Sequence, residues 1–193
     1  EPIIHREEEN TKNPSIEDSK VNLENIINNP KSLIIKAREQ YGLTTLSHYL
    51  VKEAWVKPKT SLWLRVDINE LKPHIKEINK VIDNKLSDLE LILDDIECII
   101  IDDVSSSVKD ANKIIEKINE IFIDKKIIIL YTIIDNNILH ESINIPQSKD
   151  YDILYLWALP RNDIRKIVIN YNNEKYLGDE NSILNKVISD LEV

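Results

Sequence analysis

Five short apolar segments alternate along this chain with longer segments whose apolar residues recur at the spacing of an amphipathic helix. A short apolar run between polar flanks is typical of a strand that is buried on both faces of a sheet. Strands that alternate with helices require right-handed crossovers and therefore a parallel sheet covered on both faces. We predict a three-layer α/β fold with strands at Leu33–Lys36, Ser61–Asp67, Cys98–Ile101, Lys126–Tyr131 and Ile153–Trp157.

The intervening segments supply the predicted helices. The clearest one follows Gly42, where Leu46, Tyr49, Leu50 and Ala54 share one face. Residues 1–20 mix Glu, Asn, Lys and Pro without periodicity, so we predict a linker or arm there and a core that covers 21–193. Other helices are predicted at Val21–Asn28, Glu70–Asn84 and Leu86–Ile96, from Ser105–Ser107 to about Phe122, and at Arg161–Tyr171 and Asn181–Leu191, with a loop at Asp135–Asp150.

Charge and composition limit the partners and the compartment. The net charge of −9 over 193 residues provides no broad basic surface for nucleic acid or an anionic membrane, so we expect neither as a direct partner. No apolar run approaches the about 18 to 20 residues of a membrane span. A single cysteine, Cys98, cannot form an internal disulfide, which favours a reducing, cytoplasmic compartment. The chain begins at Glu1 and contains no methionine, so we expect it to be part of a longer protein.

The stretch Ser32–Leu50, SLIIKAREQYGLTTLSHYL, combines a predicted strand, a tight turn and a helix, as a phosphate-binding loop does. The pattern G-x-x-x-x-G-K-[ST] surrounds phosphates with backbone N–H groups, places a lysine on the β and γ oxygens and a hydroxyl on Mg²⁺. Here Ala37 stands at the first glycine, Gly42 at the second, Leu43 at the lysine and Thr44 at the hydroxyl. Because the chain has only two glycines, the one at this turn is informative.

Two adjacent acids, Asp102 and Asp103, follow the predicted strand Cys98–Ile101. In P-loop NTPases the first acid of such a pair holds the Mg²⁺ shell and the second orients the attacking water. Carboxylates suit this role because Mg²⁺ prefers hard oxygen ligands. A strand that ends in aspartate is also common in α/β proteins, where the acid caps the next helix, so the pair by itself leaves both roles open.

The Ser32–Leu50 stretch followed along the chain by the Asp102-Asp103 pair resembles a STAND-type P-loop NTPase, a signal-transduction ATPase related to AAA+ proteins. The resemblance covers about Val21–Val193. The resemblance rests on AREQYGLTTL as a degenerate Walker A, CIIIDDV as Walker B, KIIILYT as the sensor strand and YDILYLWALPRNDIRKIV as the fifth strand with its helix. More narrowly, Gly-Leu-Thr followed by LVKEAW and LWLRVD is similar to modules that follow calcineurin-like phosphoesterase domains in bacterial proteins suspected of anti-phage defence.

The resemblance implies an ASCE fold, a five-stranded parallel sheet of order 5-1-4-3-2, with the lid and winged-helix domains mostly absent. It implies ATP or ADP with Mg²⁺ as the ligand. Thr44 and Asp102 would then hold the metal and Asp103 would be the catalytic acid, with Thr132 near the sensor position. The nucleotide would contact Arg38, Gln40, Tyr41, Gly42, Leu43, Thr44 and Thr45.

Three departures from the family pattern bear on catalysis: Ala37, Leu43, and Ile133 where many STAND proteins carry a sensor arginine. A charge-assisted hydrogen bond to phosphate contributes about 1.5 to 3 kcal/mol, or about one to two decades of affinity. Binding through backbone N–H groups can survive that loss. Catalysis depends more strongly on positive charge at the γ-phosphate, for which Lys36 or Arg38 would substitute only in part.

We therefore expect a regulatory module that binds nucleotide weakly or not at all and couples to fused or associated effector and sensor domains. Two alternatives stay open: an active ATPase that needs missing domains, and a pure protein-interaction domain. Homo-oligomerisation also stays open. Other sites are disfavoured, because the four histidines lack metal-ligand spacing and no G-x-S-x-G elbow is present.

Overall fold

The computed structural model describes residues 3–6, 20–56, 62–134, 150–159, 163–167 and 169. The chain divides into two compact units, Glu1–Trp157 and Ala158–Val193, so the predicted core of 21–193 spans both. In the second unit, residues 163–167 are helical. The predicted helix Asn181–Leu191 and nearly all of the predicted loop Asp135–Asp150 lie outside the described residues.

The described part of the first unit contains four α-helices, seven strands and two short 3₁₀ helices at Ile68–Glu70 and Leu93–Asp95. The strands are β1 (Ile4–His5), β2 (Lys20–Val21), β3 (Leu33–Arg38), β4 (Leu62–Asp67), β5 (Ile96–Ser105), β6 (Lys126–Ile133) and β7 (Asp152–Leu156). The helices are α1 (Leu23–Asn28), α2 (Leu43–Val56), α3 (Ile75–Asp88) and α4 (Ala111–Ile121).

All seven strands form one sheet in the order β2-β1-β7-β3-β6-β5-β4. Neighbouring strands from β7 through β4 are parallel, whereas β1 pairs antiparallel with both β2 and β7. The predicted five-strand sheet is therefore too small, and the order 5-1-4-3-2 is found only among the five parallel strands. The mixed α/β character of the prediction is correct.

β1 and Lys20 of β2 come from the segment that was predicted to be a linker or arm, whereas Val21 of β2 was predicted to begin the first helix. Ile4 is fully buried and pairs with Leu156, while His5 stacks on the Trp157 ring at a centroid distance of 3.6 Å. This short antiparallel addition covers the edge of β7, which would otherwise present unpaired N–H and C=O groups. A two-residue strand has too few residues to show a periodic pattern, which explains why the sequence did not reveal it.

The prediction of a helix at Leu86–Ile96 is wrong. Leu86 belongs to α3, which ends at Asp88, and Ile96 is the first residue of β5. Between them Glu90 has a φ of 57°, a left-handed conformation that ends the helix. The following helix also starts later than predicted, because β5 continues through Ser105 and α4 begins at Ala111.

Apolar side chains alternate between the two faces of the sheet and form two clusters, as a period of two requires. Ile99 and Ile101 pack toward α3 and α4, whereas Cys98 and Ile100 pack toward α1 and α2. Continuation of this alternation places Asp102 on the α2 face. None of the helices within the described ranges combines the length and the apolar character that crossing a bilayer requires.

Candidate functional site

An open cleft of about 550 Å³ lies at the carboxyl ends of β3, β5 and β6. This is the edge of a parallel sheet where ligands bind in α/β folds, and the volume lies in the range of small-molecule sites. The start of α2 contributes Gly42, Thr44 and Thr45 to the lining, and the segment after β5 contributes Lys109. The predicted phosphate-binding stretch and the predicted acidic strand thus meet at one cavity.

The turn between β3 and α2 comprises Glu39 to Gly42 and is shorter than the loop of the phosphate-binding pattern. Ala37, at the position of the first glycine, is still part of β3 and pairs with Thr132. Gly42 has a φ of 90°, and its carbonyl accepts the hydrogen bond from Leu46 N–H at 2.9 Å that starts α2. A Cβ at Gly42 would meet Thr45 at an ordinary 3.9 Å, so the backbone conformation, and not lack of space, requires glycine.

Leu43 is the first residue of α2 and is only 7% exposed. Its side chain lines the cleft and belongs to the apolar cluster that contains Leu46 and Leu50. A leucine here extends the core to the edge of the cavity, at the place where the phosphate-loop pattern has a cation. The position contributes packing to this protein and no charge.

Three groups bring positive charge to the cleft, which the carboxylates of Glu39 and Asp103 also line. The first N–H groups of α2 have no acceptor within the helix and carry the positive end of its dipole. Arg38 and Lys109 also line the cavity. Lys36 is not among the lining residues; its Nζ lies 5.9 Å from the centroid of the Tyr131 ring.

Lys109 is the functional candidate that sequence reasoning missed. It lies in the connection between β5 and α4. Ser105 and Ser107, which were predicted only as the start of the following helix, line the cleft as well, and their hydroxyl oxygens are 2.8 Å apart. The hydrogen bond from Lys113 lowers the pKa of the neighbouring Asp110 carboxyl. The positive charge of Lys109 lowers this pKa further. The length of β5 could not be read from apolar residues, because its last four residues include two aspartates and a serine.

Asp102 is fully buried and does not line the cleft. Its Oδ2 accepts a hydrogen bond from Arg65 Nε at 2.8 Å, and Arg65 Nη2 lies 2.7 Å from the same oxygen. The Ser47 hydroxyl lies 2.9 Å from Oδ2 and 2.7 Å from the Thr44 carbonyl, to only one of which it can donate at a time. The other oxygen, Oδ1, accepts the Asp103 N–H at 2.9 Å.

Asp103 has the opposite environment. It sits at a bulge where the β5 to β6 register shifts between Ile101 and Val104, and its φ is 60°. The bulge turns its side chain into the cleft, where it is exposed, and its Oδ2 accepts a hydrogen bond from Asn69 Nδ2 at 2.6 Å. Two residues adjacent in sequence thus face different surroundings, because a bulge re-aims the side chains that follow it.

Most of the predicted site residues come together, and two do not. Asp102 is paired with Arg65, and Tyr41 packs half-buried against the α2-side apolar cluster. Within the described residues, no three His, Cys, Asp or Glu side chains lie close enough together to hold a metal ion. The predicted residues that line the cleft are Arg38, Gln40, Gly42, Leu43, Thr44, Thr45, Asp103 and Thr132.

No family model matches the sequence, and no curated protein does either. Among solved structures, PCH-2 of C. elegans is similar, with 16% sequence identity and a TM-score of 0.43. The match covers 80% of this chain but 43% of that one, so the chain spans less than half of that protein's length.

Proposed function

We propose that this chain is a regulatory nucleotide-binding module of the STAND type, which holds the phosphates of ATP or ADP at the start of α2 without efficient hydrolysis. The observation that carries the proposal is the cleft itself. It joins the N-terminus of α2 and two cationic side chains, while Leu43 stands where a catalytic P-loop has lysine.

Binding follows from the groups that line the cavity. A helix N-terminus attracts a phosphate because its free N–H groups and its dipole act in the same direction. Lys109 and Arg38 add positive charge to the lining, which also includes the exposed residues Thr44 and Thr45. Without the lysine and with a shortened turn, the affinity is expected to be weaker than that of a complete phosphate-binding loop.

Weak or absent hydrolysis follows from the same lining. Phosphoryl transfer depends on positive charge that is already positioned at the oxygens of the transferred group. Leu43 provides none at the position where a catalytic P-loop has lysine. Occupancy of the cleft by nucleotide, and not its hydrolysis, is then the signal that the module passes to fused or associated effector and sensor domains. We place these domains in a cytoplasmic protein, with anti-phage defence as the suggested setting.

Isothermal titration calorimetry with ATP and ADP tests the proposal. We expect measurable binding that weakens about tenfold in Lys109→Ala, as the loss of one charge-assisted contact predicts. Lys113→Ala is the matched control, because Lys113 is an exposed lysine of α4 that pairs with Asp110 and does not line the cleft. A parallel phosphate-release assay is expected to show no turnover above background.

Two results would favour the alternatives. Absence of binding heat and of any thermal shift would support a pure protein-interaction domain, which the burial of Leu43 also favours. Turnover at ordinary NTPase rates that disappears in Asp103→Ala would identify a working ATPase.

A further inference from the structure

The feature that the proposed function does not use is the buried ion pair of Asp102 and Arg65. Arg65 lies on β4, two residues before Asp67, which pairs with Asp102 across the sheet. The two side chains are therefore diagonal neighbours on the α2 face, and Ser47 of α2 contacts both, with Arg65 Nε 3.0 Å from Ser47 Oγ. Asp102 is fully buried, whereas the Arg65 side chain is 24% exposed.

A magnesium ion does not fit this arrangement. Mg²⁺ demands nearly octahedral oxygen ligands at about 2.0 to 2.1 Å and retains several waters. One oxygen of Asp102 carries the Arg65 guanidinium and the other a backbone N–H, so neither is presented to the cleft. Because a guanidinium stays protonated in proteins, the positive charge beside Asp102 is permanent and repels a cation.

We propose that the cleft takes its nucleotide as a metal-free phosphate ester, and that Arg65 provides the neutralisation of Asp102 that Mg²⁺ provides in metal-dependent sites. This inference rests on the proposed function, since it concerns the form in which the nucleotide binds. The groups that would neutralise the phosphate charge are Lys109, Arg38 and the N–H groups of α2, and together they must outweigh the Glu39 and Asp103 carboxylates of the same lining. Mg²⁺ already bound to ATP occupies oxygens that these groups need, so it leaves the affinity unchanged or lowers it.

Calorimetry with ATP in buffer that contains excess Mg²⁺ and in buffer that contains EDTA tests the inference. We expect the affinity in EDTA to equal or exceed that in Mg²⁺. A loss of affinity of about tenfold or more on removal of Mg²⁺ would overturn the inference while leaving the proposed nucleotide binding intact. Absence of binding in both buffers would instead contradict the proposed function.

A second measurement, made without nucleotide, tests whether the site around Asp102 excludes a metal ion. Mn²⁺ is titrated into isotope-labelled protein, and the loss of NMR amide signals near the paramagnetic ion is recorded. In the unmodified chain the amides of Ser47 and Asp102 are expected to keep their intensity. Their selective loss at substoichiometric Mn²⁺ would overturn the inference.

The variant Arg65→Gln is the gain-of-function test, and Arg65→Lys, which keeps a positive charge at the pair, is its control. Once the NMR spectrum of Arg65→Gln shows a native fold, we expect selective broadening of the Ser47 and Asp102 signals by Mn²⁺. If the folded Arg65→Gln chain shows no broadening, Arg65 is not what excludes the metal and the inference is wrong. If this variant does not fold, the result with the unmodified chain decides.

Discussion

The turn between β3 and α2 and the end of β5 contribute to the same cleft, yet they match different parts of the phosphate-binding pattern. The turn has Gly42 in a left-handed conformation and a helix that starts directly after it, but Leu43, at the position where the pattern has a cation, is apolar. The end of β5 keeps both of its charges, but Asp102 uses its charge inside the protein.

The comparison shows that a charge can belong either to the ligand site or to the fold, according to its burial. An exposed charge at the cleft can be removed at little cost to stability, because water solvates both states. A buried charge cannot lose its partner without leaving an unpaired ion in a low-dielectric interior. Changes at the turn should therefore alter binding, and changes at the Asp102 pair should alter stability.

The largest effect is expected for Arg65→Leu, which removes the partner of Asp102. We expect a loss of about 3 to 5 kcal/mol in the free energy of unfolding, since the carboxylate stays buried without its counter-ion. Chemical denaturation measures the loss, and Lys113→Ala, which breaks an exposed pair, should change stability by less than about 1 kcal/mol. Equal effects of the two substitutions would break the distinction between the two regions.

The next largest effect is expected at the turn, for Leu43→Lys. A lysine at this position restores a charge-assisted contact to phosphate, worth about 1.5 to 3 kcal/mol, so ATP affinity should rise about tenfold to a hundredfold. Leu43→Met, which keeps an apolar side chain, is the control and should leave the affinity unchanged. Unaltered ATP affinity in a folded Leu43→Lys chain would show that the shortened turn no longer presents this position to a phosphate.

A smaller effect is expected for Gly42→Ala, which tests whether the turn has kept its geometry. A Cβ in the left-handed conformation costs about 1 to 2 kcal/mol, and the free energy of unfolding should fall by that amount. Gln40→Gly is the matched comparison, because Gln40 also has a positive φ, of 67°, and glycine relieves its strain. If Gly42→Ala proved neutral, the backbone of the turn would not have the conformation described.

The smallest effect is expected at Tyr151, which lies outside both regions. Its ionisation measures how much stability is lost when a partly buried side chain becomes charged. Burial raises the pKa of Tyr151 to about 12, although its hydrogen bond to Asn119 Oδ1, at 2.7 Å, acts in the opposite direction. An unfolded tyrosine ionises near about pH 10, so the stability is fully present below that pH and falls as the pH rises toward about 12.

Because the ring is partly exposed to solvent, we expect the free energy of unfolding to fall by only about 1 to 2 kcal/mol between about pH 10 and about pH 12. Denaturant unfolding at a series of alkaline pH values measures the fall, and Tyr151→Phe should remove the part due to this residue. A Tyr151→Phe chain with the same alkaline loss would assign the titration to other groups.

Much of the fold could be predicted from local patterns. The five parallel strands were located because each is an apolar run of several residues, and α2 because its apolar residues share one face. The error at Leu86–Ile96 shows where this reasoning ends. Leu86, Leu89, Leu93 and Ile96 have a helical spacing, but the left-handed Glu90 separates the helix from the strand, and spacing alone does not reveal such a residue.

The candidate site was predicted in part for a similar reason. The turn around Gly42 is a local motif and could be recognised from consecutive residues, whereas the environment of Asp102 depends on Arg65, 37 positions away. The inclusion of Lys109 depends on the length of β5 and on the turn after it. Neither the Asp102–Arg65 pair nor the position of Lys109 at the cleft leaves a periodic signal in the sequence, because both depend on the register between strands.

The sequence by itself determined the alternation of strands and helices, the glycine at the turn and the absence of lysine at position 43, since each is a property of neighbouring residues. Only the tertiary structure decided that the first of the two acids is buried against Arg65 while the second faces the cleft. The physical reason is the bulge in β5 together with the pairing of β4 and β5, which separates two adjacent carboxylates into an internal ion pair and a solvent-exposed group.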